Sequence, residues 1–260
     1  VTAIVGVGFA ISQKEIKQIL AYHTVSQVGI MMMGMSTIYH LSSFGGFLHI
    51  FNHALFKSLL FLGAGIVVKV YQTKYVKDVK GVFKTMPWTA ILLIVGMLSI
   101  SGAPMFNGFV SKTLIKTDFK DDVLKMTLFT IINLGTITSF IKFSTMLFGP
   151  KQNFKIDPNI KQHSGMSLLA LGCLTIGVFY QVIGQTLYDI DLSYVKWFDI
   201  MQFLDYLFYV GIGLLIYHFI VKKDYWPTRK LRSINITFES ANYLFVVYLM
   251  VIALFIFSLI

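Results

Sequence analysis

Three residues in the run Gly46 to Lys57 have the types and spacing to hand a proton along a helix. His49, His53 and Lys57 stand at i, i+4 and i+8 in a stretch that is otherwise almost wholly apolar. On a helix that spacing projects them toward one face, over roughly 12 Å of length at about 1.5 Å of rise per residue. An imidazole has an ordinary pKa of about 6.5 and both accepts and donates a proton, and a lysine taken out of water can be brought toward the same range. A single histidine in such a place reads equally as a solvated helix-end residue or a packed, hydrogen-bonded one. Two in register with a lysine favour a relay. The i, i+4 pair also suits zinc, but no third carboxylate or thiolate lies near in sequence, so no metal is expected.

Two further lysines, Lys112 and Lys142, also fall in apolar stretches with no polar loop to hold them. An ionisable group at bilayer depth costs about 3 kcal/mol or more, so it normally faces a bundle interior or a wet cavity. Lys112 follows Ser101-Gly102-Ala103-Pro104 and Asn107-Gly108. Glycine and proline in mid-span free backbone groups that only a protein-lined or watery cavity satisfies, so a broken helix is predicted around Gly102-Pro104. Lys112 is then either part of an ion path or a side chain snorkelling to the outer interface. Lys142 stands about two turns before Gly149-Pro150 and reads as a proton-entry residue or as a chain reaching back to water. Lys17 and His23 fall at the start of a helix, where solvation is the default, although Lys17 is retained as a candidate entry point of the path. Asp205 and His218 read as interfacial.

These side chains need elements to hold them, and composition states which. In 260 residues, 56% are hydrophobic, 24 are Phe and 13% are charged, with a mean hydropathy of +0.72. Soluble domains carry roughly 25% charge, and a water-soluble fold of this length does not hide so much apolar surface. With about 20 apolar residues needed per crossing, a partial run occupies Val1 to Ile11 and full runs begin near Leu20, Phe44, Pro87, Val123, Gly165, Ile200 and Phe238. The predicted fold is therefore all-α: a polytopic transmembrane bundle of about seven full spans plus a partial one. Gly45-Gly46 and Gly63-Ala64-Gly65 read as sites of close helix packing or as a helix start.

Loop charge gives a direction. Lys14, Lys17, Lys69, Lys74, Lys77, Lys80, Lys84, Lys151, Lys155, Lys161, Lys222, Lys223, Arg229, Lys230 and Arg232 collect on one side. Lys116, Lys120, Lys125 and Lys196 fall on the other, among Asp118, Asp121, Asp122, Asp189, Asp191 and Asp199. By the positive-inside rule the first side is cytoplasmic. The net charge of +10 is thus spent in loops, which excludes a nucleic-acid interface. A single cysteine, Cys173, excludes a disulfide framework or a thiolate cage. No hydrolase triad, phosphate loop or nucleotide fingerprint is present, so no catalytic centre and no cofactor of its own is expected. The chain opens on Val1-Thr2-Ala3-Ile4 without methionine or a basic leader, and an N-terminally truncated protein is expected.

The segment Glu15 to Gly29 (EIKQILAYHTVSQVG), the segment His49 to Gly65 (HIFNHALFKSLLFLGAG) and the segment Ser101 to Lys112 (SGAPMFNGFVSK) together resemble the antiporter-like membrane subunits of respiratory complex I, energy-converting hydrogenases and Mrp-type Na+/H+ antiporters. The resemblance covers about Val1 to Pro150. It departs at Glu15, where the family has aspartate, and at His23, where the family has serine. What it implies is a second, C-terminal antiporter-like repeat over 1–150, carrying the proton-path residues, followed by additional transmembrane helices over 151–260, for which no motif is recognised. The first repeat, with its glutamate–lysine pair, is not in this sequence. By the same resemblance His49, His53 and Lys57 form the central relay and Lys112 the exit end.

Three functions stand against one another. The first is a proton-translocating subunit of a redox-driven translocase such as NADH:quinone oxidoreductase. The second is a subunit of a multi-subunit Na+/H+ antiporter, and the third is a structural membrane scaffold. The implied partners are other membrane subunits, lipid and protons or Na+. The implied place is the cytoplasmic membrane of a bacterium or archaeon.

Overall fold

In the computed structural model, residues 1–234 and 250 are described, apart from 38, 118, 120, 121, 155–159, 190, 191, 193, 194 and 196–198. Helices follow one another as α1 (Thr2–Ser12), α2 (Ile16–Met35), α3 (His40–Tyr71), the short α4 (Val82–Thr85), α5 (Pro87–Ser101), α6 (Asn107–Thr117), α7 (Val123–Ser144), α8 (Ile160–Val178), α9 (Tyr180–Tyr188), α10 (Ile200–Ile216) and α11 (Trp226–Ser233). Local chemistry sets several of the ends. Pro87 occupies the first turn of α5, where its missing N–H is no loss. Asp122 and Asp199 cap α7 and α10 by accepting from Lys125 N and Met201 N, each at 3.0 Å. Gln72 and Gly102, both with positive φ, stop α3 and α5.

The all-helical class is confirmed among the described residues, whose extended pairing is an isolated bridge between Glu15 and Tyr75. The count of seven spans is not reproduced among the described residues. There, three helices are long and apolar enough to cross a membrane unaided: α3, α7 and α10 as prolonged to Val221. A fourth arises if α8 and α9 form one span, bent by 78°. Other expected runs differ for physical reasons. α2 has the length but carries Lys17, Gln18, His23, Thr24, Ser26 and Gln27, and the break at Gly102 leaves α5 with only 15 residues. The run expected from Phe238 lies outside the described residues, as do Asp118, Lys120, Asp121, Lys155, Asp191 and Lys196 of the loop-charge argument.

α2, α3, α5 and α7 enclose the main core, built from Ile16, Leu20, Phe56, Leu60, Leu93, Ile100, Phe140 and Phe143. Small residues let the helices approach to backbone contact. A Cβ on Gly29 would meet Ala3 N at 2.5 Å, one on Gly46 Met31 O at 2.8 Å, and one on Gly63 a Leu93 methyl at 2.6 Å. Gly65 faces open space, so the expected packing role holds for Gly45, Gly46 and Gly63 but not for Gly65. These contacts fix α2 against both α1 and α3, and hence the level at which α2 side chains meet α3.

Gly29→Val forces α1 away from α2, because the atoms it meets are backbone and cannot yield. Overpacking typically costs about 1–3 kcal/mol, and here the upper end is expected, seen as a lowered Tm in detergent. An unchanged Tm would show that the two helices separate freely.

Candidate functional site

α2 and α3 run antiparallel with their polar faces together. His49 is fully buried, and its Nε2–H donates to Gln27 Oε1 at 2.9 Å. Its Nδ1 then accepts from the Ser111 hydroxyl at 2.8 Å, and Ser111 Oγ accepts from Asn52 Nδ2 at 3.1 Å. The amide of Asn52 also donates to Asn107 O at 2.9 Å, and Asn107 Nδ2 returns a bond to Asn52 O at 3.3 Å. This ties the middle of α3 to the start of α6. Eight residues further along α3 than His49, Lys57 is 7% exposed; it donates to the Leu20 carbonyl and lies over the Phe61 ring at 5.4 Å.

The expected stripe is not a bare polar row. His53 is only half buried, and Phe56 sets its ring against both histidines, 6.0 Å from His49 and edge-on at 5.5 Å from His53. His53, whose Nε2 finds no partner among the described residues, remains in electrostatic contact with His49 on one side and Lys57 on the other.

The predicted break is present. After Ser101, Gly102 takes φ +76°, and the N–H groups of Gly102 and Ala103 fold back onto Leu98 O and Ser99 O. The Ile100 carbonyl is left over, and the Lys112 ammonium takes it at 2.7 Å together with Asn133 Oδ1 at 2.8 Å. Lys112 is 5% exposed. Its side chain runs back across Gly102, where a Cβ would stand 3.1 Å from its Cδ. The snorkelling alternative therefore does not describe this side chain.

Lys142 donates to Ala10 O at 3.2 Å, Ile11 O at 2.6 Å and Gln13 O at 2.6 Å, while Arg232 takes Ser12 O at 3.1 Å. Two cations thus cap the C-terminus of α1, the sign its dipole favours. Arg232 and Lys14 converge in turn on Asp224, at 3.1 and 2.7 Å. Burial acts to raise the Asp224 carboxyl, but hydrogen bonds from Lys14 and Arg232 prevail and hold it down at about 2. Lys17 is exposed at the start of α2, and the structure does not bring it to the other site residues. Asp205 and His218 are exposed, as their interfacial reading requires.

Sequence reasoning missed Gln27, Asn52, Ser111 and Asn133, and it misplaced His23. That residue is fully buried rather than solvated, stacked on Phe140 at 4.8 Å. A usable signal existed. Leu20, His23 and Gln27 at i, i+3 and i+7 share one face of α2, and Asn107 and Ser111 at i, i+4 share one face of α6.

Residues 1–142 match the family described as NADH:quinone oxidoreductase/Mrp antiporter, TM. The chain belongs to this family. It is accordingly an integral membrane protein, and the matched region contains all the site residues named above except those of the α10–α11 junction. Among relatives, it is 34% identical over 164 residues to a Na(+)/H(+) antiporter subunit of Alkalihalophilus pseudofirmus, covering 60% of this chain and 33% of the relative. It is 29% identical over 252 residues to NADH-ubiquinone oxidoreductase chain 5 of Metridium senile, covering 91% and 41%. A chain of the Mrp complex from a Dietzia species shares the fold, with a TM-score of 0.64 at 16% identity over 89% of this chain and 47% of that one. The chain thus spans between about a fifth and two fifths of the length of such relatives.

Two consequences can be measured. Gly102→Ala puts a Cβ in the left-handed region and against Lys112, and should cost about 1–2 kcal/mol of stability; an unchanged Tm would mean the turn is not held as described. For Asp224 the value falls from 3.8 to about 2 on folding, so its contribution is in place above pH of about 4 and is lost as pH falls toward 2. Asp224→Asn should therefore lower Tm at pH 7 and leave it unchanged near pH 2. An equal loss at both would assign the effect to packing.

Proposed function

We propose that the chain is part of a proton-translocating membrane subunit of a redox-driven pump of the complex I or hydrogenase type. Protons are relayed by Lys112, His49, His53 and Lys57, with Lys142 at the entry end. The observation that carries this reading is that three ammonium groups and two imidazoles are held between α2, α3, α6 and α7 on neutral partners. The ammonium groups take backbone carbonyls and the Asn133 amide oxygen, and His49 takes the Gln27 amide oxygen and the Ser111 hydroxyl, so that each of these groups can change charge without an acid pinning it. Lys112 and His53 act electrostatically on His49, and Lys57 acts on His53, so a proton moved at one is felt at its neighbour. Family membership supports the chemistry.

A second reading, membership of a multi-subunit Na+/H+ antiporter, is favoured by the match to the Alkalihalophilus pseudofirmus antiporter protein. In both readings the chain sits among other membrane subunits and its basic loops face the cytoplasm of a bacterium or archaeon. Residues 1–150 then act as the second antiporter-like repeat, α2 and the α5–α6 pair add two spans to those of α3, α7, α8–α9 and α10, and 151–260 supply additional helices. Lys17 serves at most as an outer proton collector, since it is exposed.

Lys57→Met in the complete protein should abolish coupled proton movement while leaving assembly intact, as read by a pH dye in proteoliposomes. Wild-type transport by the variant would return the site to a scaffolding role. A wild-type rate that requires Na+ in the vesicle, and scales with it, would select the antiporter.

A further inference from the structure

We propose that His23 is the residue through which a proton passes between Lys142 and Lys57. The proposal rests on the relay reading above and deepens it, by joining the water-facing end of α7 to the lysine inside α3. Two features of the geometry, and the charges around it, meet at this ring.

The first is its position. Leu20 O receives Lys57, and Gln27 receives His49, so His23 stands on the same face of α2 between those two levels. On α3 the ring of Phe56 packs against His49 and His53, and an apolar ring cannot carry a proton. The second is its surroundings. Among charged groups Lys57 acts most strongly on the His23 ring, followed by Lys142 and Lys112. Lys142 in turn is in the field of Arg232, Asp224 and Lys14, of which Lys14 is about half exposed. A sequence of titratable groups therefore runs from water at Lys14 and Asp224 through Lys142 and His23 to Lys57.

The third is the state of the ring itself. It is wholly buried, stacked on Phe140 with an interplanar angle of 30°, and neither Nδ1 nor Nε2 has a hydrogen-bond partner among the described residues. Ser139 Oγ, one turn before Lys142 on α7, is likewise buried and without a partner there. Leaving both nitrogens of an imidazole unpaired carries a free-energy penalty that an aromatic hydrocarbon ring of similar size avoids. Packing on Phe140 alone would be served better by phenylalanine. A nitrogen-bearing ring is required only where its nitrogens are used, either directly or through water.

The transfer balances. The Lys142 ammonium gives a proton to the bare nitrogen of a neutral His23, becoming an amine. The opposite ring nitrogen gives its own proton to the amine of Lys57, which becomes an ammonium. One N–H bond breaks and one forms at each transfer, no charge is created, and the ring is left in its other tautomer until it rotates or passes a proton back.

The experiment uses the complete protein in its assembled complex, reconstituted in vesicles, with Lys57→Met run beside it. His23→Phe keeps the stack on Phe140 and removes both nitrogens. It should assemble at the wild-type level and transport at least about tenfold more slowly. His23→Ala should be equally slow and should regain rate with added imidazole but not with pyrrole, which has the same ring size and no basic nitrogen, each rate being taken relative to wild-type vesicles with the same additive. If His23→Phe fails to assemble, the alanine variant decides on its own. Wild-type transport by His23→Phe, or equal rescue by imidazole and pyrrole, overturns the assignment. If Lys57→Met also transports normally, the relay reading falls with it; if Lys57→Met is inactive while His23→Phe is normal, only His23 is excluded.

Discussion

An ammonium group placed inside an apolar bundle must be offered oxygen atoms, and in this chain the oxygens come chiefly from the backbone. Lys57 takes the carbonyl of Leu20, Lys112 that of Ile100, and Lys142 those of Ala10, Ile11 and Gln13. An intact helix interior spends its carbonyls on its own N–H groups, with only the second lone pair left over. Free carbonyls occur at helix ends. The early end of α1 at Ser12 and the break after Ser101 are therefore conditions for holding Lys142 and Lys112 where they are, not incidental irregularities of the fold.

A carbonyl differs from a carboxylate in a way that matters for transport. It solvates a cation without cancelling its charge, so the charges of Lys57, Lys112 and Lys142 remain visible to the histidines among them. In a medium of effective dielectric about 20, unit charges some 8 Å apart interact by about 2 kcal/mol. That is enough to make the protonation of one depend on its neighbour. An acid, Asp224, stands at the α10–α11 junction, where it binds Lys14 and Arg232 rather than the buried lysines.

The all-helical class was legible because apolar runs of membrane length have few other meanings, and the break at Gly102 was legible because glycine and proline in mid-run have a single backbone consequence. His49, Lys57 and Lys112 were found because ionisable residues stand out against an apolar background. The same contrast hid the rest. α2 is polar enough that His23 looked solvated, and the uncharged Gln27, Asn52, Ser111 and Asn133 carry no cost that draws the eye until their partners on other helices are known. Spacing along one helix also could not reveal that Phe56 sets its ring against both histidines, since i+7 shares the face as closely as i+4 does. A hydropathy run also does not register a turn such as Gly102 or the 78° bend between α8 and α9, so the described helices do not match the expected runs one to one.

Close packing and polarity are then two aspects of one arrangement. α2 carries too many polar side chains to be stable against lipid, yet it sits where α1 and α3 approach it through Gly6, Gly29 and Gly46 at backbone contact. Two neighbouring helices pressed that closely shield His23, Ser26 and Gln27 completely, whereas bulkier contact residues would hold them apart and admit lipid to the polar face. Ser26 uses the same proximity to donate to Ala3 O at 2.9 Å, tying α1 and α2 further. The glycines of α1, α2 and α3 thus do for the histidine-bearing faces what the helix ends do for the lysines: they set the distance at which a polar group inside an apolar bundle finds a neighbour of its own kind.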